Sequence, residues 1–486
     1  MPTKTMNVYS KNRGLAMLVI MAGVLITAVD TTIVVLALPE IQKSIHVGLS
    51  SVIWVVIGYL LTITLLATQV GRLGDMFGRI RMYEAGFLLF VIGSLACGLS
   101  WNETSIIIFR IIQGIGGAFV SANSGAIIAG LYPHEERGKA YGYNAIGWSL
   151  GAVLGIVLGG LIVTYVSWRW IFLINVPIGL AALGIALKVL HESNERRSHK
   201  LDPVGMLTLG LGIFGLLWAM TRLATQSFTG SIVGFLIAGV LLIVTFALYE
   251  NKRPEPMLHL SLFKVPLIAP SLLASFFQGL ANFAVLFLVI MYLQGARSLS
   301  PIHASLLLVP GYIVGSAIGP FAGRLADKIG PVWPATIGLA VQTIALLIYA
   351  QMSLSTPLFV VVLASIINGV GSSAFFPANN SAVMKASPKE MFGISSGMLR
   401  TFANIGMVFS FSVAILVASR SISKGLAFAI FVGTSSLHGH LAQAFTKGLH
   451  SSFYVLMIFM AVAAALSFSR RRTEKAGNLA RAAEQN

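Results

Sequence analysis

The sequence predicts an all-α polytopic membrane protein: two six-helix bundles plus two inserted helices, fourteen spans in all, with the N- and C-termini cytoplasmic. Three observations predict it. The composition is too apolar for water, apolar runs of spanning length recur along the whole chain, and positive charge alternates in step with those runs.

Composition comes first. Of 486 residues, 56% are hydrophobic and only 10% are charged. A soluble domain carries about 25% charged residues, so lipid is the natural solvent for this chain. The net charge is +17. In a soluble chain that excess points to nucleic acid. Here it fits the cytoplasmic enrichment of Lys and Arg in membrane proteins, and no aromatic-basic surface motif argues for nucleic acid. The single cysteine, Cys97, excludes an internal disulfide. The nine histidines form no HExxH motif and no Cys/His cluster, so no metal site is expected. No cofactor is expected either.

The apolar runs fall near 14–38, 50–71, 82–100, 104–131, 140–163, 169–190 and 203–224, then 231–250, 267–294, 303–322, 331–352, 355–383, 396–419 and 451–470. Each approaches the ~20 residues that cross a bilayer core. Backbone groups in lipid must be satisfied internally, so the runs are helices. The first run follows Lys4, Lys11 and Arg13 as a signal peptide would, but it is longer than a signal core of about 7–15 residues, and no A-x-A site follows.

With the N-terminus inside, the alternation puts 24 of the 33 Lys and Arg on the cytoplasmic side and only seven outside. A wrong span count would scramble this bias downstream, yet it persists to Arg470, Arg471 and Arg472. The domains read as an N-terminal six-helix bundle over 14–190, two inserted helices over 203–250, a C-terminal six-helix bundle over 267–470 and a cytoplasmic tail over 471–486. Loops are short, so no soluble domain is expected. The longest outside segment, 420–450, holds an apolar stretch, Leu426–Val432, too short to span.

Two loops repeat. Gly71-Arg72-Leu73-Gly74-Asp75-Met76-Phe77-Gly78 ends the second span, and Gly323-Arg324-Leu325-Ala326-Asp327-Lys328-Ile329-Gly330 ends the tenth. They share side, depth and order. Repeats related along the membrane normal mark secondary transporters, with the substrate site expected between the halves.

Asp30 is the only carboxylate well inside any span. Ionisable groups at membrane depth are costly and usually functional. Burial raises a carboxyl pKa and a nearby cation lowers it, so such a group can load and release a proton. Arg110, in the fourth span, is the candidate partner. Rise per residue puts the two roughly 12 Å and 9 Å below the outer face, level if their helices adjoin. A purely structural ion pair is the alternative.

These motifs resemble the major facilitator superfamily, specifically its fourteen-helix drug:proton antiporters. The resemblance is carried by Asp30-Thr31-Thr32-Ile33-Val34 through Pro39, by Gly71 through Arg79, by Arg110-Ile111-Ile112-Gln113-Gly114 through Ala118, and by Ser167-Trp168-Arg169-Trp170-Ile171-Phe172 with Asn175-Val176-Pro177. It implies proton coupling at Asp30 and Arg110. It also implies a cytoplasmic gate formed by Gly71, Arg72, Asp75, Gly78 and Arg79, with Gly323, Arg324 and Asp327 as the second copy. Gly151, Gly155, Gly159 and Gly160 stripe the fifth span, where small residues let helices approach. The antiporters carry proline after one such glycine. Here Ile156 follows Gly155, which leaves the direction of transport open.

The expected substrate cavity has an amide and aromatic lining: Gln113, Asn123, Asn144, Gln278, Asn282, Phe276, Asn379 and Asn404. Such a lining suits lipophilic or amphipathic small molecules. The reading is therefore a proton-driven exporter working by alternating access, fuelled by the proton gradient and functional as a monomer in the cell membrane. A carrier of an endogenous metabolite, exported or imported, is the alternative, and a non-transporting membrane sensor a remoter one. An enzyme is not expected, since no paired-carboxylate, Ser/His or metal-ligand constellation shares one depth.

Overall fold

The computed structural model describes residues 12–45, 52–132, 137–192, 201–225, 228–387, 392–418 and 440–471. The stretch Leu426–Val432, most of the linker 191–201 and all but the first residue of the tail lie outside the described residues.

The described chain is helical throughout. In order come α1 (Arg13–Ile45), α2 (Trp54–Phe77), α3 (Arg79–Gly98), α4 (Glu103–Leu131), α5 (Arg137–Tyr165), α6 (Trp170–Leu173), α7 (Asn175–Val189), α8 (Pro203–Thr225) and α9 (Gly230–Glu250). After a short 3₁₀ turn at Leu260–Lys264 follow α10 (Ile268–Met291), extended by a π turn at Tyr292–Ala296, then α11 (Pro301–Ile329), α12 (Val332–Ala350), α13 (Leu358–Ala386), α14 (Phe392–Ala418) and α15 (His440–Ser469).

Among the described residues, 12 helices are long and apolar enough to cross a membrane, or 13 when the bent α2 counts as one span. Fourteen were expected; the remaining helix is α14, of 27 residues. The sixth expected span is observed as one membrane-length stretch, Trp170–Val189, with Ile174 between α6 and α7 keeping helical dihedrals. The last helix begins at His440, earlier than the hydropathy suggests. Its first turns carry His440, Gln443 and Lys447, so polarity hid its start from an apolar count.

The chain divides into two compact units. The first joins residues 1–210 to Ser300–Ser305; the second joins Leu211–Leu299 to the rest. In the first, α1 is the central helix, and 78% of its most apolar window is buried. It packs along α5, where glycines remove the side-chain layer. A Cβ on Gly151 would lie 2.6 Å from the Leu25 carbonyl oxygen, and one on Gly159 would lie 3.2 Å from that of Ile33. Close backbone approach of this kind drives helix association in lipid, where the hydrophobic effect does not act between helices. In the second unit α10 takes the central place, packing along α14 and α15 while α12 packs on α13 and α15. By contrast only 17% of the α9 window is buried. That helix presents Val233, Ile237, Val240, Leu241 and Val244 outward, as a lipid-facing helix does.

Helix ends follow local chemistry. Asn102 and Ser105 form a capping box at the start of α4. Gly78, with φ 114°, breaks the chain between α2 and α3, and Gly330, with φ 91°, does the same between α11 and α12. Only glycine adopts that backbone without strain.

Candidate functional site

The first unit encloses a polar network that reaches no solvent. Asp30 on α1 and Arg110 on α4 are both 0% exposed. Arg110 Nη1 donates to Asp30 Oδ2 at 2.6 Å and to Gln113 Oε1 at 2.7 Å, while its Nε donates to the Val55 carbonyl at 2.7 Å. Gln113 Nε2 donates to Asp30 Oδ1 at 2.8 Å and to Ser94 Oγ at 2.6 Å. Asn175 Nδ2, on α7, lies 3.4 Å from both Asp30 Oδ1 and Ser94 Oγ. Five helices thus contribute to one cluster.

The surroundings explain how the pair survives burial. The guanidinium carbon sits 4.1 Å from the Tyr59 ring centroid and 5.5 Å from that of Phe172. Both aromatic faces favour the cation. A buried pair is tolerated when geometry is close and further hydrogen bonds satisfy the leftover lone pairs, as Gln113 does here on both partners. Arg110 Nη2 is a buried donor without a partner among the described residues. Chemically the cluster is one carboxylate with a cation and an amide at fixed short range. Protonating Asp30 would release the salt link while Gln113 continues to hold both groups.

The loop motif has its own geometry. Arg79 closes on a single oxygen, Asp75 Oδ1, through Nε at 2.8 Å and Nη2 at 2.7 Å, an ion pair at one turn's spacing. Gly71 and Gly323 have open or loosely filled surroundings; Gly74 faces the Asn123 amide. Arg72 is half-buried and Arg324 exposed. An unforeseen residue completes this region. Glu192, in the stretch after α7, accepts hydrogen bonds from the backbone N–H of Ile80 at 3.1 Å and of Arg81 at 3.0 Å. It thereby caps α3, whose N-terminus favours a negative charge.

The expected cavity residues separate into groups. Gln113 belongs to the Asp30 cluster. Asn123 donates to the Phe119 carbonyl of its own helix, and Asn144 is half-buried on α5. In the second unit Gln278 and Asn282 join an amide cluster with Gln342 and Asn368. Phe276 packs edge-on against Phe277 and Phe409, inside an aromatic layer. Asn404 is half-buried on α14. Asn379 belongs elsewhere: its Oδ1 accepts from Arg470 Nη1 at 2.7 Å, and its Nδ2 donates to Ser275 Oγ at 2.8 Å. Arg470 also donates to Ser271 Oγ at 2.7 Å and to the Ser467 carbonyl at 3.0 Å, and is 0% exposed. Counted with Arg471 and Arg472 in the cytoplasmic charge bias, Arg470 is a buried tie between α10, α13 and α15. Its position one residue past the end of α15 would ordinarily let it snorkel to the interface. Of the glycine stripe, Gly151, Gly155 and Gly159 face α1, whereas Gly160 meets Ile302 and Ser305.

The comparisons with known proteins agree with this architecture. The profile of the Major Facilitator Superfamily matches residues 20–411 and 272–485. The tetracenomycin C resistance and export protein of Streptomyces glaucescens is 30% identical over 418 residues, covering 83% of this chain and 76% of its own. The riboflavin transporter RibZ of Clostridioides difficile is 30% identical, covering 81% and 86%. The drug efflux pump JefA of Mycobacterium tuberculosis is 33% identical, covering 80% and 77%. Among solved structures, a bacterial homologue of the human lysosomal transporter Spinster superposes with a TM-score of 0.65 at 17% identity, covering 94% of this chain and 97% of its own. The chain belongs to the major facilitator superfamily. It is a multi-pass membrane protein and a secondary transporter, not an enzyme.

Proposed function

We propose that this transporter exports lipophilic or amphipathic small molecules in exchange for protons. The observation that supports this most is the sealed Asp30–Arg110–Gln113 cluster. A carboxylate held at membrane depth is expensive, and a cation within hydrogen-bond range gives it two states to switch between. Proton loading neutralises Asp30 and removes its ion pair with Arg110, which weakens what holds α1 to α4. Alternating access driven by that change is the mechanism in this reading. The efflux pumps among the relatives support a drug-like cargo.

The topology in this reading has fourteen spans, with α14 as the thirteenth, and both termini in the cytoplasm. Gly71 through Arg79, and in weaker form Gly323 through Gly330, act as cytoplasmic gates. The working unit is a monomer in the cell membrane.

The test is Asp30→Asn, which keeps the shape and removes the titrating group. Everted vesicles carrying it should express the protein normally and lose accumulation of ethidium driven by an acid-inside gradient. Full gradient-driven accumulation in that variant would sink the proposal. A metabolite carrier is the second reading, favoured by the riboflavin transporter among the relatives. Riboflavin uptake or release that outruns ethidium in the same vesicles would select it.

A further inference from the structure

The two units repeat more than their loop motif. The register shift that carries Gly71 onto Gly323 also carries Gly78 onto Gly330, and both break the helix with positive φ. It carries Gly86 onto Gly338. A Cβ on Gly86 would lie 3.1 Å from the Gly116 carbonyl, and one on Gly338 would lie 2.6 Å from that of Gly371. A shift three residues longer, needed for α4 onto α13, takes Gly116 to Gly371.

Those two shifts carry the Asp30 cluster onto definite positions. Arg110 falls on Ser365, Val55 on Leu307, Gln113 on Asn368 and Asp30 on Asn282. The hydrogen bonds follow. Arg110 Nε donates to the Val55 carbonyl, and Ser365 Oγ lies 3.4 Å from the Leu307 carbonyl, its shorter bond of 2.8 Å going to the Val362 carbonyl of its own helix. Gln113 donates to Asp30 Oδ1, and Asn368 Nδ2 donates to Asn282 Oδ1 at 3.2 Å. The second unit therefore keeps the scaffold and drops both charges. Gln342 occupies the place of Phe90 and donates to Asn282 Oδ1 at 3.1 Å and to Asn368 Oδ1 at 3.3 Å.

One difference bears on ligands. Asp30 is sealed, whereas Asn282 and Asn368 are half-buried. Asn282 Oδ1 already accepts two bonds, while its Nδ2 donates none among the described residues. A fixed amide with its oxygen used and its two N–H groups available is a donor site for an uncharged acceptor oxygen.

We propose that the Asn282–Gln342–Asn368 cluster is a neutral counterpart of the Asp30 site, binding a carbonyl, ether or hydroxyl oxygen of the transported molecule and no proton. The chain then has one mid-membrane proton site, and cargo that carries an acceptor oxygen gains a hydrogen bond in the second unit that oxygen-free cargo lacks. This rests on the proposed proton role of Asp30.

Two measurements on the purified full chain in lipid discs test it. Infrared difference spectra between acid and alkaline buffer should contain a buried-carboxyl component that Asp30→Asn removes and Asn282→Leu retains. Asn282→Asp should add a second such component, because the scaffold can hold a carboxyl there. Absence of that second component overturns the correspondence; persistence of the first in Asp30→Asn overturns the Asp30 reading instead. Riboflavin, which has acceptor oxygens, should bind about tenfold more weakly to Asn282→Leu, the loss of a hydrogen bond or two. Ethidium, which has none, should bind both alike. Equal riboflavin binding by the wild type and Asn282→Leu, including none by either, overturns the oxygen site.

Discussion

Asp30 and Asn282 occupy corresponding places in the two units, and the environment around each differs as its chemistry requires. Around Asp30 every neighbour serves the charge. Arg110 and Gln113 bind both oxygens, Tyr59 and Phe172 flank the cation, and solvent is excluded. Around Asn282 the arginine has become Ser365 and the tyrosine Gly311, so the cation and its aromatic cover are lost together. The lesson is that a buried charge is maintained by a set of residues. Remove the charge and the set is free to change into amides that bond mainly to one another.

The largest effect expected is at Arg110. Arg110→Ala leaves Asp30 buried and unpaired, at about 3–5 kcal/mol. A melting curve in detergent or the folded yield should fall sharply, and Asp30→Asn in the same chain should restore much of the loss. A small effect of Arg110→Ala would mean that Asp30 is neutral at rest. The second unit's own buried cation comes next. Arg470→Met breaks the bonds to Ser271, Asn379 and Ser467, and charged hydrogen bonds contribute about 1.5–3 kcal/mol each before compensation. Melting should drop measurably, while the infrared signal of Asp30 stays in place.

Smaller effects separate motion from stability. Asp75→Ala opens the Arg79 pairing, and turnover should fall more than equilibrium binding of ethidium; unchanged turnover would count against a gate. Glu192→Ala removes the cap of α3, at about 0.5–2 kcal/mol, read by hydrogen exchange at Ile80 and Arg81. The smallest effect is at Ser365. Ser365→Ala should cost about 0.5–1.5 kcal/mol at most, against the far larger loss at Arg110. Similar losses at these two positions would erase the distinction between the charged unit and the neutral one.

Much of this was legible in the residues. Asp30 and Arg110 were placed at one depth from helical rise alone, because rise fixes depth whatever the packing. The glycine stripe of α5 identified a packed face, though not that Gly160 turns away from α1 toward Ile302 and Ser305. Ser94 gave no signal, since a lone serine in a span has many uses, and Asn175 stood out only as part of a motif, with nothing to tie it to Asp30. Glu192 was invisible for another reason: its partners are backbone N–H groups more than a hundred residues away. The early start of α15 was hidden because hydropathy records solvent preference and not hydrogen bonding.

The sequence by itself determined the solvent, the helical class, the repeated loop motif and the one carboxylate at membrane depth, because composition and rise per residue need no knowledge of neighbours. Tertiary structure alone decided which polar groups meet. It turned Arg470 inward, drew Gln113 from an expected cavity into the Asp30 cluster, and set Asn282 against Asn368 as the uncharged match to Asp30 and Gln113. Hydrogen-bond partners are fixed by angle and distance between helices, and those are properties of the packed fold.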